Sequence, residues 1–385
     1  GAAALLSACA GGPEIASAPA SLFHDDRFRV PQERISTDDI FTLSEPMRHY
    51  LAVDIAERLR TKGAQAGLVE ALYQKGQLKI EYDTATTKTA AATFATRSGN
   101  CLSLVLMTTA FARELNLPFY YGSALIDDTW SRSGDFLVAS GHVNVTIGRR
   151  TADARSAFDL APLTIDFLPA EDVRYMRHRD IGEATVIAMY ANNHAAEALA
   201  AGRLDSAYAW SREALRHDPA FPAAWNMLGV VYLRHGDVEA AAPVFEHALA
   251  LSQRDSRALA NLAQTYSRLG RTAEAEAMRL RLRALEPFPP FHFFNLGLAA
   301  MARADYTAAR TLFARELARD DDRDEFHFWL GLAYFRLGDI DAARDQLARA
   351  AQSSVTRGQH DLYAAKLAWL QGQARKSPSR PPDPR

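Results

Sequence analysis

The C-terminal half of the chain repeats every 34 residues, and this period is the feature that most limits how the chain can fold. Glycine recurs on one 34-residue ladder, with alanine standing in once: Gly202, Gly236, Gly270, Ala304 and Gly338. Alanine occupies every position of a second ladder: Ala207, Ala241, Ala275, Ala309 and Ala343. A period of this length predicts stacked pairs of helices, because one repeat alone cannot bury its apolar face.

Two further ladders carry larger side chains that would fill the space between helices: Trp225, Leu259, Phe293 and His327, then Leu228, Leu262, Leu296 and Leu330. The most complete copy runs from Ala224 to Leu251 and reads AWNMLGVVYLRHGDVEAAAPVFEHALAL. It resembles the tetratricopeptide repeat, with these residues in the family's positions: Trp225, Leu228, Gly229, Tyr232, Ala241, Phe245 and Ala248. In such repeats small residues let paired helices approach closely, while large residues fill the groove between pairs.

The resemblance implies an all-α solenoid of five repeats over residues 188–355, which would bind a protein or peptide partner through its concave face. The first copy is degenerate, with Ala191 and His194 at the large positions. Residues 356–374 are expected to form a capping helix that covers the last repeat with Leu362, Leu367 and Leu370. The tail at 375–385 is polar and rich in proline, and is therefore expected to be disordered.

The N-terminal half does not repeat. Residues 45–62 place Met47, Tyr50, Leu51 and Ile55 at helical spacing, and 64–75 suggest a second helix. Residues 77–83 alternate as a short strand, and strand-like runs surround Tyr120, Val143 and Leu163. Helices followed by a small sheet predict an α+β domain, which we place at residues 22–185.

The first 21 residues have a separate character. Residues 2–10 form an apolar run, and Leu6-Ser7-Ala8-Cys9 resembles the bacterial lipobox, whose cysteine receives a lipid. The resemblance implies lipidation at Cys9, a small and flexible tether over residues 11–21, and anchoring in the outer membrane facing the periplasm. The alternative is an alanine-rich signal remnant in which the cysteine is incidental. No later stretch is long and apolar enough to predict a membrane-spanning helix.

Cys101 is the other of the two cysteines. If Cys9 carries lipid, Cys101 has no disulfide partner within the chain, so it is either a buried apolar filler or a working thiol. Gly99-Asn100 predicts a turn and a helix N-cap, followed by an apolar helix that ends at Asn116-Leu117-Pro118. A helix N-terminus favours the thiolate form, and its amide groups provide an oxyanion-hole donor.

A thiolate nucleophile needs a base, and His142 is the candidate because Val143, Val145 and Ile147 place it at the start of a strand. A carboxylate would orient that histidine through its other ring nitrogen. Asp166 lies in an apolar, strand-like run and is preferred over Asp159, which precedes it by seven residues. The alternatives without a catalytic role are that His142 is an ordinary edge-strand histidine and that Cys101 is a buried, unreactive thiol.

The segment 96–121 containing Gly99-Asn100-Cys101, followed by GHVNVTI and TIDF, resembles the transglutaminase-like branch of the papain-fold cysteine enzymes. The resemblance covers residues 40–180 and implies a catalytic triad with Cys101 as nucleophile, His142 as base and acid, and Asp166 as orienting group. It departs from the family in having Asn100 where aspartate is frequent, and a gap of 24 positions between His142 and Asp166.

The chain is therefore predicted to combine an α+β, papain-like and transglutaminase-like domain with a tetratricopeptide-repeat solenoid in a bacterial envelope lipoprotein. Its expected activity is acyl transfer on amide bonds, either hydrolysis or cross-linking. Two alternatives are an inactive adaptor that binds proteins through its repeats and a structural envelope-assembly lipoprotein. No cofactor, metal site or nucleic-acid partner is expected, since the formal net charge is only −2 and no metal-ligand spacing or phosphate-binding loop occurs.

Overall fold

A computed structural model describes residues 18–73, 80–82, 86–133, 136–149, 162–165, 177–288, 291–321, 323–354 and 357–374. The chain divides into two compact units, Gly1–Leu285 and Glu286–Arg385. The first unit contains the N-terminal α+β region together with three helix pairs among its described residues. The predicted domain boundary near residue 185 falls inside this unit and stays a prediction, as does the tail at 375–385, which lies outside the described residues.

The first unit begins its helical part with α1 (Glu45–His49), a π-helical turn (Tyr50–Asp54), α2 (Ala56–Lys62) and α3 (Ala64–Tyr73). A bond from the amide of Ile55 to the carbonyl of Tyr50, 3.1 Å long, interrupts what the sequence predicts as one continuous helix. The predicted apolar face is confirmed, because Met47, Tyr50, Leu51 and Ile55 are all buried.

Strand β1 (Glu81–Tyr82) pairs in parallel with β2 (Ser98–Gly99), and α4 (Ala90–Thr96) lies between them in sequence. Helix α5 (Cys101–Glu114) follows directly and is buried on all sides from Cys101 to Ala112. The predicted apolar helix is confirmed, and its small and apolar side chains let it serve as the central element of this region.

A second, antiparallel sheet has the order β5–β4–β3–β6, formed by β3 (Phe119–Ser133), β4 (Phe136–Ile147), β5 (Leu163–Ile165) and β6 (Arg177–Ile181). The β3–β4 register is irregular between Ala124 and Thr129. Strand β4 packs against α5 through its buried residues Val143, Val145 and Ile147. The α+β composition agrees with the prediction, while the papain-like arrangement stays a prediction.

Helix pairs α6 (Glu183–Ala200) and α7 (Leu204–His217), α8 (Pro222–His235) and α9 (Val238–Leu251), and α10 (Ser256–Arg268) and α11 (Thr272–Leu285) complete the first unit. The predicted ladders explain their packing. Ala207, Ala241 and Ala275 have no exposed surface, and neither have Trp225 and Leu259. An added Cβ at Gly229 would lie 2.5 Å from the Phe245 ring, so the α8–α9 crossing depends on this glycine.

The second unit contains α12 (His292–Ala302), α13 (Tyr306–Leu317), α14 (Asp324–Arg336), α15 (Ile340–Ser353) and α16 (Arg357–Ala374). The turn residues of the glycine ladder all have positive φ, and Ala304 keeps this conformation with φ 60°. Leu296 is 45% exposed, although its ladder equivalents are buried. The capping helix α16 buries Tyr363 and Leu370, while the predicted Leu362 is 49% exposed.

Glu316 connects the two helices of the α12–α13 pair. Its carboxylate is buried and accepts hydrogen bonds from the backbone amides of Phe291, Phe293 and Phe294, at 3.2, 2.6 and 3.0 Å. Arg319 donates to the same carboxylate at 3.0 Å. The N-terminus of α12 is therefore capped by a side chain of α13, since its own N-cap residue Phe291 supplies no side-chain bond.

Candidate functional site

Cys101 occupies the position that the sequence predicts, as the first residue of α5. Its side chain is buried, with 7% of the residue exposed. Asn100 is the N-cap, and its Oδ1 accepts a hydrogen bond of 2.9 Å from the amide of Ser103. The thiol thus lies at the capped N-terminus of a buried helix.

A network of polar side chains fixes the turn before Cys101, and sequence reasoning missed most of its members. The Thr87 hydroxyl accepts from the side-chain amides of Asn100, at 2.9 Å, and Asn193, at 3.1 Å. The Thr87 amide donates to Glu197 at 2.7 Å. Asn193 and Glu197 belong to α6, so the first repeat helix helps to position this turn. Their only sequence signal is polarity within a helix, which does not identify a partner.

His142 lies within β4, opposite Ala124 of β3. The strand begins six residues earlier than the sequence predicts, at Phe136, so His142 does not stand at the strand start. Only the backbone of His142 is described, while Asp166, Asp159 and Cys9 lie outside the described residues. The structure brings β4 against α5. The triad Cys101, His142 and Asp166 and the lipidation of Cys9 stay predictions.

His194 lies on α6 beside the network around Thr87. Its Nδ1 is 3.3 Å from Glu197 Oε2, and its Nε2 is buried without a hydrogen-bond partner. The imidazole stacks on Trp210 with a centroid distance of 4.8 Å and meets Tyr190 edge-on at 4.5 Å. The imidazole of His194 is therefore packed between two aromatic rings.

Among the described residues, no group of three or more His, Cys, Asp or Glu side chains is arranged to hold a metal ion. In the same part of the chain, no helix combines the length and apolar character that crossing a membrane requires.

A second site lies on the repeats, where residues 18–38 run across α7, α8 and the start of α9. We call this segment the strap. It contains two short 3₁₀ turns, Ala20–Leu22 and Asp25–Arg27, and has no other regular secondary structure. Its contacts are with residues about 170 to 210 positions further along the chain.

Aromatic stacking attaches the strap to the repeats. The Phe28 ring lies over Tyr208 of α7, with centroids 4.0 Å apart and 2° between the planes. Phe23 stacks on Trp225 of α8 at 5.6 Å. The guanidinium of Arg212 lies 3.8 Å from the centre of the Phe23 ring. Stacked rings and a cation over a ring face are favourable beyond the apolar area that they bury.

Hydrogen bonds to the strap backbone lie between these stacks. The Tyr232 hydroxyl accepts from the amide of His24 at 3.1 Å and donates to the carbonyl of Leu22 at 2.9 Å. Asp205 accepts from the amide of Arg29 at 3.0 Å. The repeats therefore bind the main chain of the strap as well as its side chains.

Asp25 is the principal charged contact of the strap. The Tyr208 hydroxyl donates to it at 2.7 Å, and Arg212 forms an ion pair with it at 3.2 Å. Burial of Tyr208, together with its hydrogen bond to Asp25, raises the pKa of the phenol well above its usual range. Tyr208 therefore keeps its proton and remains a donor to the carboxylate.

The C-terminal end of the strap is fixed by Thr37. Its hydroxyl lies 3.0 Å from Glu213 Oε1 and 2.7 Å from His217 Nε2, both on α7. The hydrogen bond from Arg216 lowers the pKa of Glu213, burial opposes the shift, and the bond from Thr37 adds to the lowering. The strap thus leaves the repeats at a half-buried, ionised carboxylate.

The family model described as tetratricopeptide repeat matches residues 192–256 and 294–358, and a second model of the same repeat matches residues 232–292. None of the curated proteins matches the chain. The predicted tetratricopeptide repeats are therefore confirmed, whereas these matches lie C-terminal to the predicted transglutaminase-like segment.

Similar solved structures include the tetratricopeptide-repeat protein TTC0263 of Thermus thermophilus, at 21% identity over 47% of this chain and 99% of that chain, with a TM-score of 0.32. YrrB, described as a tetratricopeptide-repeat protein with an unusual peptide-binding site, is 21% identical over 47% of this chain and 92% of that chain, with a TM-score of 0.26. PilF of Pseudomonas aeruginosa is 21% identical over 49% and 86%, with a TM-score of 0.32. On the evidence of the matching family models, the helix pairs between residues 192 and 358 are tetratricopeptide repeats.

Proposed function

We propose that the chain is a protein-binding scaffold that recruits its partner through the tetratricopeptide repeats. One observation carries this proposal: the surface of α7 and α8 holds the strap by aromatic stacking and by hydrogen bonds to its main chain. A surface that binds the strap in this manner has the chemistry needed to bind a similar segment of another protein.

Site-specific photo-cross-linking in the source cells tests the scaffold function. A photoreactive amino acid is placed at Leu251 or Leu296, which are 42% and 45% exposed on the repeats, and at Glu114 as an exposed control outside them. We expect the repeat positions to give a discrete protein adduct that the control position lacks. Equal adducts from all three positions, or none from either repeat position, would contradict the scaffold function.

A second candidate function is acyl transfer by Cys101, favoured by its place at the capped N-terminus of α5. In this reaction the Cys101 thiolate attacks an amide carbonyl and forms a thioester, while His142, oriented by Asp166, protonates the departing amine. Water or a second amine then releases the acyl group. The product is a hydrolysed or a cross-linked protein, depending on which of the two attacks.

Thiol reactivity separates this candidate from an inactive adaptor. In a Cys9→Ser background, iodoacetamide should label Cys101 rapidly near neutral pH, and His142→Ala should slow the labelling. Labelling as slow as that of an ordinary buried thiol, unaffected by His142→Ala, would exclude the enzyme function and leave the scaffold.

We also propose that the chain is a bacterial envelope lipoprotein anchored through Cys9 in the outer membrane, facing the periplasm. The lipobox-like residues Leu6 to Cys9 support this proposal. Metabolic labelling with an alkynyl fatty acid should mark the wild-type protein and not Cys9→Ser. Equal labelling of both proteins would rule out lipidation at this residue.

A further inference from the structure

The strap differs from the rest of the first unit in how it is packed. From residue 18 to residue 36 no side chain is buried, whereas Thr37 and Ile40 are. Val30 is 93% exposed. The strap is thus attached to a surface and does not enter the core, as is typical of a bound peptide.

The surface beneath the strap is rich in aromatic side chains. Tyr232 and Trp225 have no exposed surface with the strap in place, and Tyr208 is 4% exposed. On the same surface, Arg212 forms an ion pair with Asp25, and Asp205 accepts a hydrogen bond from the Arg29 amide. Tyrosine, tryptophan and arginine side chains are the ones that dominate binding energy at protein interfaces.

The strap does not fill the groove in which it lies. An open groove of about 440 Å³ remains beside the strap, between Val30 and Pro31 of the strap and Leu215 and Arg216 of α7. The groove is open to solvent, so the strap leaves part of this surface uncovered. A partner segment with larger side chains after the second aromatic residue would occupy this space.

We propose that the surface of α7 and α8 is a peptide-binding site which the strap occupies in cis and which a partner protein takes by displacing it. The proposal rests on the scaffold function and names its partner class. The ligand is a segment with an aromatic residue, an acidic residue two positions later and a second aromatic residue three positions after that, matching Phe23, Asp25 and Phe28.

Attachment in the same chain makes the strap an effective competitor. A short connection gives the strap an effective concentration on the order of 1 mM. When the strap and a free peptide of the same sequence share a dissociation constant on the order of 10 μM, the peptide binds about 100-fold more weakly to the closed protein. The strap thereby excludes weak ligands, and a partner must carry better-fitting anchors or bind at a second point.

Fluorescence anisotropy on the full chain tests the proposal with a labelled peptide of residues 20–31, ASLFHDDRFRVP. The variant Phe23→Ala/Phe28→Ala weakens the strap, and we expect it to bind this peptide at least about tenfold more tightly than the wild type does. Asp26→Asn is the matched control within the strap, because its side chain is exposed and lies outside the lining of the groove, and the substitution should leave peptide binding at the wild-type level. Tyr208→Leu added to the double variant should abolish peptide binding.

Peptide binding by the folded double variant that is no tighter than binding by the wild type would overturn the proposal. If the double variant does not fold, hydrogen exchange of the wild-type chain decides. The amides of His24 and Arg29 should exchange at least about 100-fold faster than those in the middle of α8, through opening of the strap alone. Exchange at the same rate as α8 would show that the strap opens only when the unit unfolds, and would overturn the proposal.

Two outcomes separate this proposal from its alternatives. A concentration-dependent dimer lost in Phe23→Ala/Phe28→Ala would assign the surface to the strap of a second copy and overturn the partner class. Cross-links from Leu251 or Leu296 without peptide binding to the opened variant would leave the scaffold function standing and remove only the displaceable strap.

Discussion

The ring of Phe28 stacks on the ring of Tyr208, with 2° between the ring planes and 4.0 Å between the centroids, although the two residues are 180 positions apart in the sequence. Stacking of this kind contributes about 0.5–1.5 kcal/mol beyond burial of area. A double-mutant cycle with Phe28→Leu and Tyr208→Leu should give a coupling free energy of that size in chemical denaturation. The pair Val30→Ala and Tyr208→Leu should give none, and a Phe28–Tyr208 coupling within error of zero would contradict the stacking.

The Gly229–Phe245 contact should make the α8–α9 crossing intolerant of one methyl group. Gly229→Ala places Cβ 2.5 Å from the Phe245 ring and is expected to lower the free energy of unfolding by about 1–3 kcal/mol. Phe245→Leu in the same chain should recover part of this loss, since the corresponding pair in the last repeat is Gly331 and Leu347. Gly182→Ala is the control, because nothing lies within 4 Å of its added Cβ and its φ is −80°; an equal loss in both variants would refute the crossing argument.

Ala304 has a left-handed backbone conformation, and the equivalent positions of the ladder are occupied by glycine. Ala304→Gly should therefore stabilise the second unit, by about 1 kcal/mol, because alanine pays a steric cost at positive φ that glycine avoids. Scanning calorimetry would measure the gain as a higher transition temperature. Ala299→Gly, in the interior of α12, should instead destabilise the unit by about 0.5–1 kcal/mol.

Asn100 both caps α5 and binds Thr87. Asn100→Asp keeps an oxygen for the Ser103 amide but loses the donor to Thr87, so it should cost less stability than Asn100→Ala, which loses both. The cap alone is worth about 1 kcal/mol. Urea denaturation of the two variants checks this order, and a loss in Asn100→Asp as large as that in Asn100→Ala would contradict the contribution of the cap.

The stability of the strap attachment should fall at acidic pH through Glu213. Its pKa is lowered from the ordinary value of 4.5, chiefly by the hydrogen bond from Arg216, with Thr37 and His217 also facing the carboxylate. A carboxylate with a lowered folded pKa contributes stability that is complete above the ordinary value and is lost as pH falls through the folded value. The stability advantage of wild type over Glu213→Gln should therefore be constant near pH 7 and shrink as the pH falls below 4.5. An advantage that grows on acidification would contradict this sign.

The sequence predicts those parts of the molecule whose partners lie at a fixed spacing. The 34-residue ladders place Ala207, Ala241 and Trp225 at buried helix crossings because each repeat meets its neighbour in the same way. The N-cap at Asn100 is equally local, since its partner Ser103 is three residues away. Leu296 is the exception, because the ladder predicts that its side chain is buried, whereas 45% of the residue is exposed.

The strap could not be predicted, for a physical reason. Its two 3₁₀ turns are three residues long, and the strap has no other regular secondary structure. Its sequence therefore shows no helical or strand periodicity. Its contacts join Phe23 to Trp225 and Arg29 to Asp205, and a single sequence contains no rule for pairing residues so far apart. The same holds for Thr87, whose role depends on Asn193 and Glu197 of a distant helix.

The cap that Glu316 supplies to α12 also bears on the order in which the second unit folds. The amides at the start of α12 gain their acceptor from a side chain 22 to 25 residues further on, so the first turn of α12 is completed only after α13 has formed and returned against it. An isolated helix of this length is marginal in water. The nucleus for this part of the chain is consequently the hairpin of two helices, and mutations at Glu316 should slow folding more than they speed unfolding.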